Sequence, residues 1–125
     1  MNLVQRKTVL VVEDSIALRE LFFRALKSPS NEVHLAENGA EAIHLIEKGL
    51  CPQVILFDLT MPTMGGAEFL LNIRKSTNAK NAKTIIISGV HGLATKAKEM
   101  GVDGFLKKPV DLNMLCEQVK KYAAD

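Results

Sequence analysis

The sequence predicts a doubly wound α/β fold, a three-layer sandwich in which five parallel strands form one sheet and five helices cover its two faces. Short apolar runs rich in Val, Ile and Leu recur along the chain, and each is followed by a segment with helical periodicity. Gly, Pro, Asn and Asp mark the turns between them. Because each crossover between parallel strands carries the chain back over the sheet, this alternation favours helices on both faces.

The first strand and helix are predicted from the β-branched run at residues 8–12. This run ends at Glu13 and Asp14, as a buried parallel strand does where it enters a polar loop. Ser15 is placed to cap the following helix, whose apolar residues recur at spacings of three and four. The Ser-Pro-Ser-Asn segment at residues 28–31 predicts the end of this helix.

The remaining elements repeat the same pattern four times. Further strands are predicted at residues 32–36, 54–57, 84–87 and 104–106. Further helices are predicted at residues 40–48, 67–75 and 93–100 and from residue 112 onward. Asn38 and Gly39 predict a turn before the second helix, and Gly49 predicts its end. The polar segment at residues 76–83 is predicted to be a long loop.

Composition predicts a single domain over residues 1–125, because 125 residues with 47% hydrophobic side chains can bury a core without disulfides or metals. The balance of 16 basic and 14 acidic residues, a net charge of +2, gives no argument for a nucleic-acid or membrane partner. The polar opening segment argues against a signal peptide, so a soluble, cytoplasmic protein is expected. Cys51 and Cys116 lack metal-site spacing and are predicted to be buried, without a disulfide.

Chemically active side chains follow four of the five predicted strands. They are Glu13 and Asp14, Asp58, Ser88, and Lys108. Because the carboxyl ends of parallel strands meet at one edge of the sheet, we expect these side chains to converge there. Three clustered carboxylates repel one another, so without a counter-charge at least one should have a raised pKa. The sequence therefore predicts a cation site at this edge.

The residue types at this edge suggest phosphoryl chemistry. Oxygen ligands without Cys or His favour Mg²⁺, with Mn²⁺ as the alternative, and Mg²⁺ shares its shell with phosphate oxygens. An aspartate can attack phosphorus to form an acyl phosphate. Asp58 is the predicted nucleophile and Lys108 the cation that contacts the transferring oxygens. Ser88 could donate a hydrogen bond to the phosphoryl group and move toward Asp58 when it arrives.

Taken singly, each of these residues has a structural explanation. Glu13 or Asp14 could cap a helix, Ser88 could be a loop hydroxyl, and Lys108 could be a solvated surface charge. Their joint placement at the strand ends favours a functional site over these separate explanations.

These motifs together resemble the receiver domain of response regulators in two-component signal transduction, over essentially the whole chain. The segments that carry the resemblance are VVEDS at residues 11–15, AENGAEA at 36–42, DLTMPTMGG at 58–66, ISG at 87–89 and Lys108-Pro109. The resemblance implies the CheY-like, flavodoxin-like fold with strand order 2-1-3-4-5.

Carried over residue by residue, the resemblance also implies a ligand set. Asp58 is then the phosphorylated residue. Asp14 and Asp58 bind Mg²⁺ directly, Glu13 acts through water, and the Thr60 backbone carbonyl completes the protein ligands.

The resemblance further implies a switch. Ser88 and Lys108 contact the phosphoryl group, and Phe105 is the aromatic residue that swings inward as Ser88 moves. Lys108, rather than its neighbour Lys107, is assigned because it precedes Pro109, and the bond between them is expected to be cis.

The implied function is a phosphoacceptor switch that is not a conventional enzyme and loses its phosphoryl group slowly by its own activity. The implied donor is a sensor histidine kinase or a phosphotransfer protein. The downstream effector is unknown, and a homodimer through helix 4, strand 5 and helix 5 is a further expectation, without direct contact to nucleic acid or membrane.

Two alternatives remain open. One is a receiver-like docking module that is not phosphorylated. The other is an aspartyl phosphatase of the haloacid-dehalogenase kind, suggested by Asp58-Leu59-Thr60. That class needs a second aspartate where Thr60 stands, which counts against it. The sequence also leaves open whether the chain acts alone or within a longer protein.

Overall fold

The computed structural model describes residues 6–124, in which strands and helices alternate along the chain. Residues 1–5 and 125 lie outside the described part, and with them the outer limits of the predicted domain and most of the polar opening segment. The strands are β1 (Lys7–Val12), β2 (Asn31–Ala36), β3 (Val54–Asp58), β4 (Lys83–Ser88) and β5 (Gly104–Lys107). The helices are α1 (Ile16–Leu26), α2 (Gly39–Glu47), α3 (Gly66–Lys75), α4 (Leu93–Met100) and α5 (Leu112–Ala123).

The five strands form one sheet in the order β2-β1-β3-β4-β5, and every neighbouring pair is parallel. This confirms the predicted doubly wound α/β fold and its strand order. The order reverses between β1 and β3, where Val12 pairs with Phe57. In such sheets ligands bind beyond the carboxyl ends of the strands at this reversal, so the fold directs attention to the residues after Val12 and Phe57.

Both faces of the sheet are buried. In β1, Leu10 and Val12 pack into one hydrophobic cluster with α2, α3 and α4, whereas Val9 and Val11 pack into the other with α1 and α5. Successive side chains of a strand point to opposite faces, so a strand covered on both sides is apolar at every position. This is why the strands read as continuous apolar runs rather than as alternating patterns.

Side-chain caps set the starts of three helices. Ser15 accepts a hydrogen bond from the backbone of α1, as predicted, and Asp111 does the same for α5. Asn38, predicted to lie in a turn, caps α2 through the N–H of Glu41 at 2.8 Å. The helix therefore begins at Gly39, one residue earlier than predicted, because the Asn38 side chain satisfies a free backbone donor of its first turn.

Side chains from other segments close the carboxyl ends of three helices. Asn31 donates to the last carbonyl of α1 at 2.9 Å, and Asn78 donates to a carbonyl in the last turn of α2 at 2.8 Å. Arg74 donates to the last carbonyl of α4 at 2.5 Å. Asn78 lies in the segment predicted as a loop, which is thus anchored to the body of the protein.

The prediction for one cysteine was wrong. Cys51 is exposed, because it lies in the surface connection between α2 and β3, while Cys116 is half-buried beside α1. Both thiols are free. Within residues 6–124, no helix combines the length and the apolar character needed to cross a membrane.

Strand β5 and helix α5 are in close contact at Gly104. A side chain at Gly104 would approach Gln118 Oε1 to 2.5 Å and the Tyr122 ring to 2.8 Å. Gln118 donates to the Phe105 carbonyl at 2.9 Å, and Tyr122 donates to the Asp103 carbonyl at 2.6 Å. The missing side chain therefore lets α5 lie directly against β5.

Candidate functional site

Three acidic side chains converge at the carboxyl end of the sheet. One carboxylate oxygen from each of Glu13, Asp14 and Asp58 lies within 4.8 Å of the other two. The register of the sheet explains this, because Glu13 follows the last residue of β1 and Asp58 ends the neighbouring strand β3. Within residues 6–124 this is the only cluster of acidic, His or Cys side chains with such spacing.

The three acids differ in burial and in support. Glu13 is 1% exposed and Asp58 is 5% exposed, whereas Asp14 is exposed and forms the open side of the cluster. Glu13 Oε2 accepts a hydrogen bond from the Ser15 N–H at 3.0 Å, and Asp58 Oδ1 accepts one from the Thr60 N–H at 3.0 Å. Backbone donors therefore stabilise one oxygen of each buried carboxylate and leave the other for a cation.

Lys108 supplies a positive charge to this cluster. Its Nζ donates to Asp58 Oδ2 at 2.5 Å and lies 3.2 Å from Glu13 Oε1. Lys108 Nζ and Glu13 Oε1 are close enough for an ion pair, but their geometry is not that of a hydrogen bond. The buried Glu13 Oε1 therefore has no hydrogen-bond partner. The ammonium thus lies between two carboxylates and donates a hydrogen bond to only one of them, that of Asp58.

The position of Lys108 follows from the end of β5. Its backbone N–H donates to the Ser88 carbonyl at 2.9 Å, which continues the pairing of β4 with β5. The Lys108–Pro109 bond is cis, as the resemblance implied. Lys107 is exposed, so of the two adjacent lysines it is Lys108 that reaches the acids.

The electrostatics reflect this crowding. Burial raises the pKa of Glu13, and the ion pair with Lys108 only partly opposes it. For Lys108, burial alone would lower the pKa, but the hydrogen bond and charge of Asp58, followed by those of Glu13, outweigh it and raise the pKa. One clustered carboxyl thus has a raised pKa, as expected, but burial is the main cause rather than repulsion between the carboxylates, and the Ser15 N–H opposes the rise as well as Lys108.

The donor set suits a hard divalent cation. Three carboxylates supply oxygen ligands, and the buried Glu13 Oε1 is an acceptor without a hydrogen bond. The cluster is half-open, since Asp14 is exposed, and this leaves room for water or phosphate oxygens in the shell of an ion. Glu13, Asp14 and Asp58 can therefore bind a metal ion.

Arg19 supports the acidic segment, a role that was not predicted from the sequence. Arg19, on α1, donates to the backbone carbonyls of Glu13 at 2.9 Å and Asp14 at 3.4 Å. It holds the acidic segment against the helix that follows. The signal for this contact is weak, because an arginine one turn into a helix is also an ordinary surface residue.

The loop after Asp58 depends on one of its two glycines. A side chain at Gly66 would come within 2.9 Å of the Leu59 Cα, whereas nothing lies within 4 Å of one at Gly65. The Gly66 N–H donates to the Leu59 carbonyl at 2.9 Å. Thr63 adopts a φ of 66°, a left-handed conformation that is uncommon for a β-branched residue. The chain thus makes a tight turn, and α3 begins at Gly66, one residue before the predicted start at residue 67.

The predicted switch residues lie around the cluster rather than in it. Ser88 is 3% exposed at the end of β4, and its Oγ accepts a hydrogen bond from the Val90 N–H at 3.2 Å. Phe105 lies on β5 and is 41% exposed, so its ring is at the surface. The structure brings Glu13, Asp14, Asp58 and Lys108 together, with Ser88 on the adjacent strand end and Phe105 outside.

Comparisons with known proteins identify the family of the chain. Residues 9–120 match the model of the response regulator receiver domain family. The chain is 33% identical over 119 residues to the two-component response regulator ORR6 of Oryza sativa subsp. japonica, a match that covers 90% of the chain and 70% of that protein. It is 36% identical over 118 residues to the sensor kinase CckA of Brucella abortus, covering 91% of the chain but only 12% of the kinase.

A solved structure gives the same result for the fold. The chain is similar to the chemotaxis response regulator CheY4 of Vibrio cholerae, with a TM-score of 0.85 and 28% sequence identity. This match covers 94% of the chain and 99% of CheY4.

Proposed function

The chain belongs to the response regulator receiver family of two-component signalling, and on that premise we propose that it is a switch in which Asp58 accepts a phosphoryl group. The position of Asp58 carries this proposal. Its carboxylate ends strand β3 next to the reversal of strand order, between two other acids and the ammonium of Lys108. Asp58 is itself 5% exposed, but it borders the open side of the cluster, where Asp14 is exposed, and it has a cation beside it.

In the proposed reaction, a carboxylate oxygen of Asp58 attacks phosphorus, and the bond between phosphorus and the donor's leaving atom breaks. The product is an acyl phosphate that carries about −1.5 to −2 charges. Lys108 already contacts Asp58 Oδ2. We expect the Lys108 ammonium to move from the Asp58 carboxylate to a phosphoryl oxygen. It would then balance the negative charge of the phosphoryl group instead of that of the carboxylate.

We propose that Mg²⁺, or Mn²⁺ in its place, occupies the acidic cluster. Asp14 and Asp58 would bind it directly, Glu13 through water, and Thr60 through its backbone carbonyl. Support comes from the three carboxylate oxygens and from the position of Thr60, whose N–H already contacts Asp58. The bound ion would neutralise charge on the transferring oxygens.

The switch would follow from Ser88. Its Oγ now accepts from the Val90 N–H, and the same hydroxyl can instead donate to a phosphoryl oxygen on Asp58. We propose that this exchange draws the end of β4 toward Asp58 and that the exposed ring of Phe105 moves into the space vacated. The surface formed by α4, β5 and α5 would then change, which offers a downstream effector protein or a second copy of the chain a different surface to bind.

The phosphoryl donor in this proposal is a sensor histidine kinase or a phosphotransfer protein, and the site of action is the cytoplasm. The relatives support a place in such a system, because one is named a two-component response regulator and another a sensor kinase. We also propose that the acyl phosphate is hydrolysed slowly at the same site, so that the signal decays without a separate enzyme.

Incubation with phosphoramidate or acetyl phosphate tests the proposal directly. With Mg²⁺ present, intact mass spectrometry should show one added phosphoryl group, and chelation of the metal should suppress it. Asp58→Asn should remain unmodified. Asp111→Asn is the matched control, because asparagine preserves the cap of α5 and Asp111 does not belong to the acidic cluster. An unmodified wild-type mass would favour the alternative of a docking module, and modification that persists in Asp58→Asn would refute the assignment.

A further inference from the structure

The fold places lysines at one end of the sheet and the acidic cluster at the other, a separation that the net charge of +2 does not reveal. Helices in this fold run opposite to the strands, so all five end where the strands begin. Each helix carries an exposed lysine in its last turn or at its carboxyl cap. These six residues, which we term the basic end, are Lys27, Lys48, Lys75, Lys98, Lys120 and Lys121. The acidic cluster lies at the opposite end of the sheet.

Helix dipoles account for part of this pattern but not for all of it. A helix carboxyl terminus carries about −0.5 charge, so five termini amount to less than half of what six lysines supply. Lys80 and Lys83 lie at the same end without belonging to a helix. The basic end therefore has more positive charge than the helix termini neutralise.

Acidic residues at this end do not cancel the lysines by pairing. Glu32 pairs with His34 at 2.6 Å, and Asp103 accepts its hydrogen bonds from Thr84. Glu47 and Glu99 are exposed. Among residues 6–124, the six lysines of the basic end form no ion pair with an acidic side chain; Lys27 and Lys121 lie over the rings of Phe23 and Tyr122 but remain exposed, so all six can meet an external partner.

An apolar cleft opens at the same end. It lies between α1 and α5, has a volume of about 580 Å³, and has an apolar wall of Ala25, Leu26 and Ala123 beside the polar residues Ser28, Ser30 and Asn31. Lys120, of the basic end, also borders it. Apolar walls beside an exposed ammonium suit an amphiphile with a negative headgroup better than they suit a nucleic-acid backbone, which has no apolar chain to bury.

We propose that the basic end docks on the surface of a membrane rich in anionic phospholipid. The lysines are distributed over helices on both sides of the sheet, so they form a broad surface rather than a groove. Such a surface matches a plane of headgroups, and the cleft can receive part of an acyl chain. This revises the expectation of no membrane partner, which rested on a net charge of +2. It does not depend on phosphorylation of Asp58.

The orientation that results is specific. With the basic end on the headgroups, the carboxyl end of the sheet points away from the membrane. The open side of the acidic cluster then faces the solution, from which a phosphoryl donor approaches, and the cluster is kept away from the negative surface that would repel it.

Vesicle co-sedimentation of the full chain tests this proposal. The protein should sediment with vesicles of phosphatidylcholine and phosphatidylserine in about 0.1 M salt, and not with vesicles of phosphatidylcholine alone. Binding should be lost in about 1 M salt, where the screening length falls from about 10 Å to about 3 Å. Absence of binding to the phosphatidylserine vesicles at the lower salt would overturn the proposal.

Two double variants with the same change in net charge separate position from total charge. Lys75→Gln/Lys120→Gln removes lysines of the basic end on opposite faces of the sheet, and should weaken partitioning about 25-fold, or about fivefold for each lysine. Lys96→Gln/Lys107→Gln removes exposed lysines elsewhere and should change it by less than about twofold. Equal effects of the two variants would refute the proposal. Tighter binding of duplex DNA than of vesicles at the same salt would also refute it and indicate a nucleic-acid partner.

Discussion

The carboxyl end of the sheet buries two carboxylates beside one ammonium, whereas the lysines of the amino end are exposed and its helices are closed by single hydrogen bonds from side chains. Glu13 and Asp58 are buried beside each other and share one ammonium, that of Lys108. At the amino end, Asn31 and Asn78 close helices through good hydrogen bonds. One fold therefore contains a region in which repulsion between buried carboxylates is retained and a region in which exposed charges and helix-closing hydrogen bonds predominate.

This difference indicates where stability has been given up for function. Buried carboxylates that share a single cation destabilise a protein unless another cation joins them. A site that binds a metal and a phosphoryl group needs such unsatisfied charge. Changes at the carboxyl end should therefore affect phosphorylation and stability together, and changes at the amino end should affect stability alone.

Replacement of Lys108 should have the largest effect. Lys108→Met removes the ammonium from two buried carboxylates, so phosphorylation by phosphoramidate should slow by about 10²–10³-fold. Without a divalent cation, the free energy of unfolding should fall by about 1–3 kcal/mol. Time courses of incorporation and urea denaturation measure the two effects. Lys107→Met, at the exposed neighbour, is the control, and similar rates for both variants would contradict the role given to Lys108.

A methyl group at Gly66 should have the next largest effect. Gly66→Ala brings a side chain within 2.9 Å of the Leu59 backbone, which cannot give way as a flexible side chain does. The free energy of unfolding should fall by about 1–3 kcal/mol, and phosphorylation should slow because the turn after Asp58 is displaced. Gly65→Ala meets open space and should change neither quantity appreciably. Equal effects of the two variants in urea denaturation would contradict this explanation of the turn.

Removal of a cap at the amino end should cost less and should spare the chemistry. Asn78→Ala loses a 2.8 Å hydrogen bond to α2, and the free energy of unfolding should fall by about 1 kcal/mol. The rate of phosphorylation should match that of the wild type. Asn81→Ala, at an exposed neighbour, controls for the loss of an asparagine. A slower phosphorylation in Asn78→Ala would show that the two ends are less independent than this comparison holds.

The pH dependence of Glu13 should give the smallest effect. Its folded-state pKa lies above the usual 4.5, so the protonated form contributes stability that is present below that pH and lost as pH rises through the raised pKa. Glu13→Gln cannot ionise. The free energy of unfolding of Glu13→Gln, relative to that of the wild type, should therefore increase as the pH is raised from about 4 to about 8 in the presence of a chelator. Thermal unfolding measures this, with Glu117→Gln, an exposed acid, as control, and an opposite trend would contradict the sign.

The sequence predicted the sheet well because both faces of its strands are buried. A strand such as β1 has no polar face, and its apolar run ends at Glu13 where the strand ends. Helix starts were less certain. Whether a helix begins at Gly66 or one residue later depends on the close approach of Leu59, which no local pattern records.

Convergence of the acids was predictable for a similar reason, because strand ends in a parallel sheet meet. The sequence could not give the side-chain geometry, such as the contact of Lys108 with both Glu13 and Asp58. The contact of Ser88 with Val90 depends on local conformation as well. Net charge predicted the binding surfaces least well, because it sums the lysines at one end of the sheet with the acids at the other.

The contact at Gly104 has a mechanical consequence. The side chains of Gln118 and Tyr122 on α5 lie directly against Gly104, and they donate hydrogen bonds to the Phe105 carbonyl of β5 and to the Asp103 carbonyl just before it. A displacement of β5 along its axis would break both bonds unless the helix travelled with it. Strand and helix are thus coupled at this point, and we expect a shift of β5 at Phe105 to move α5 with it.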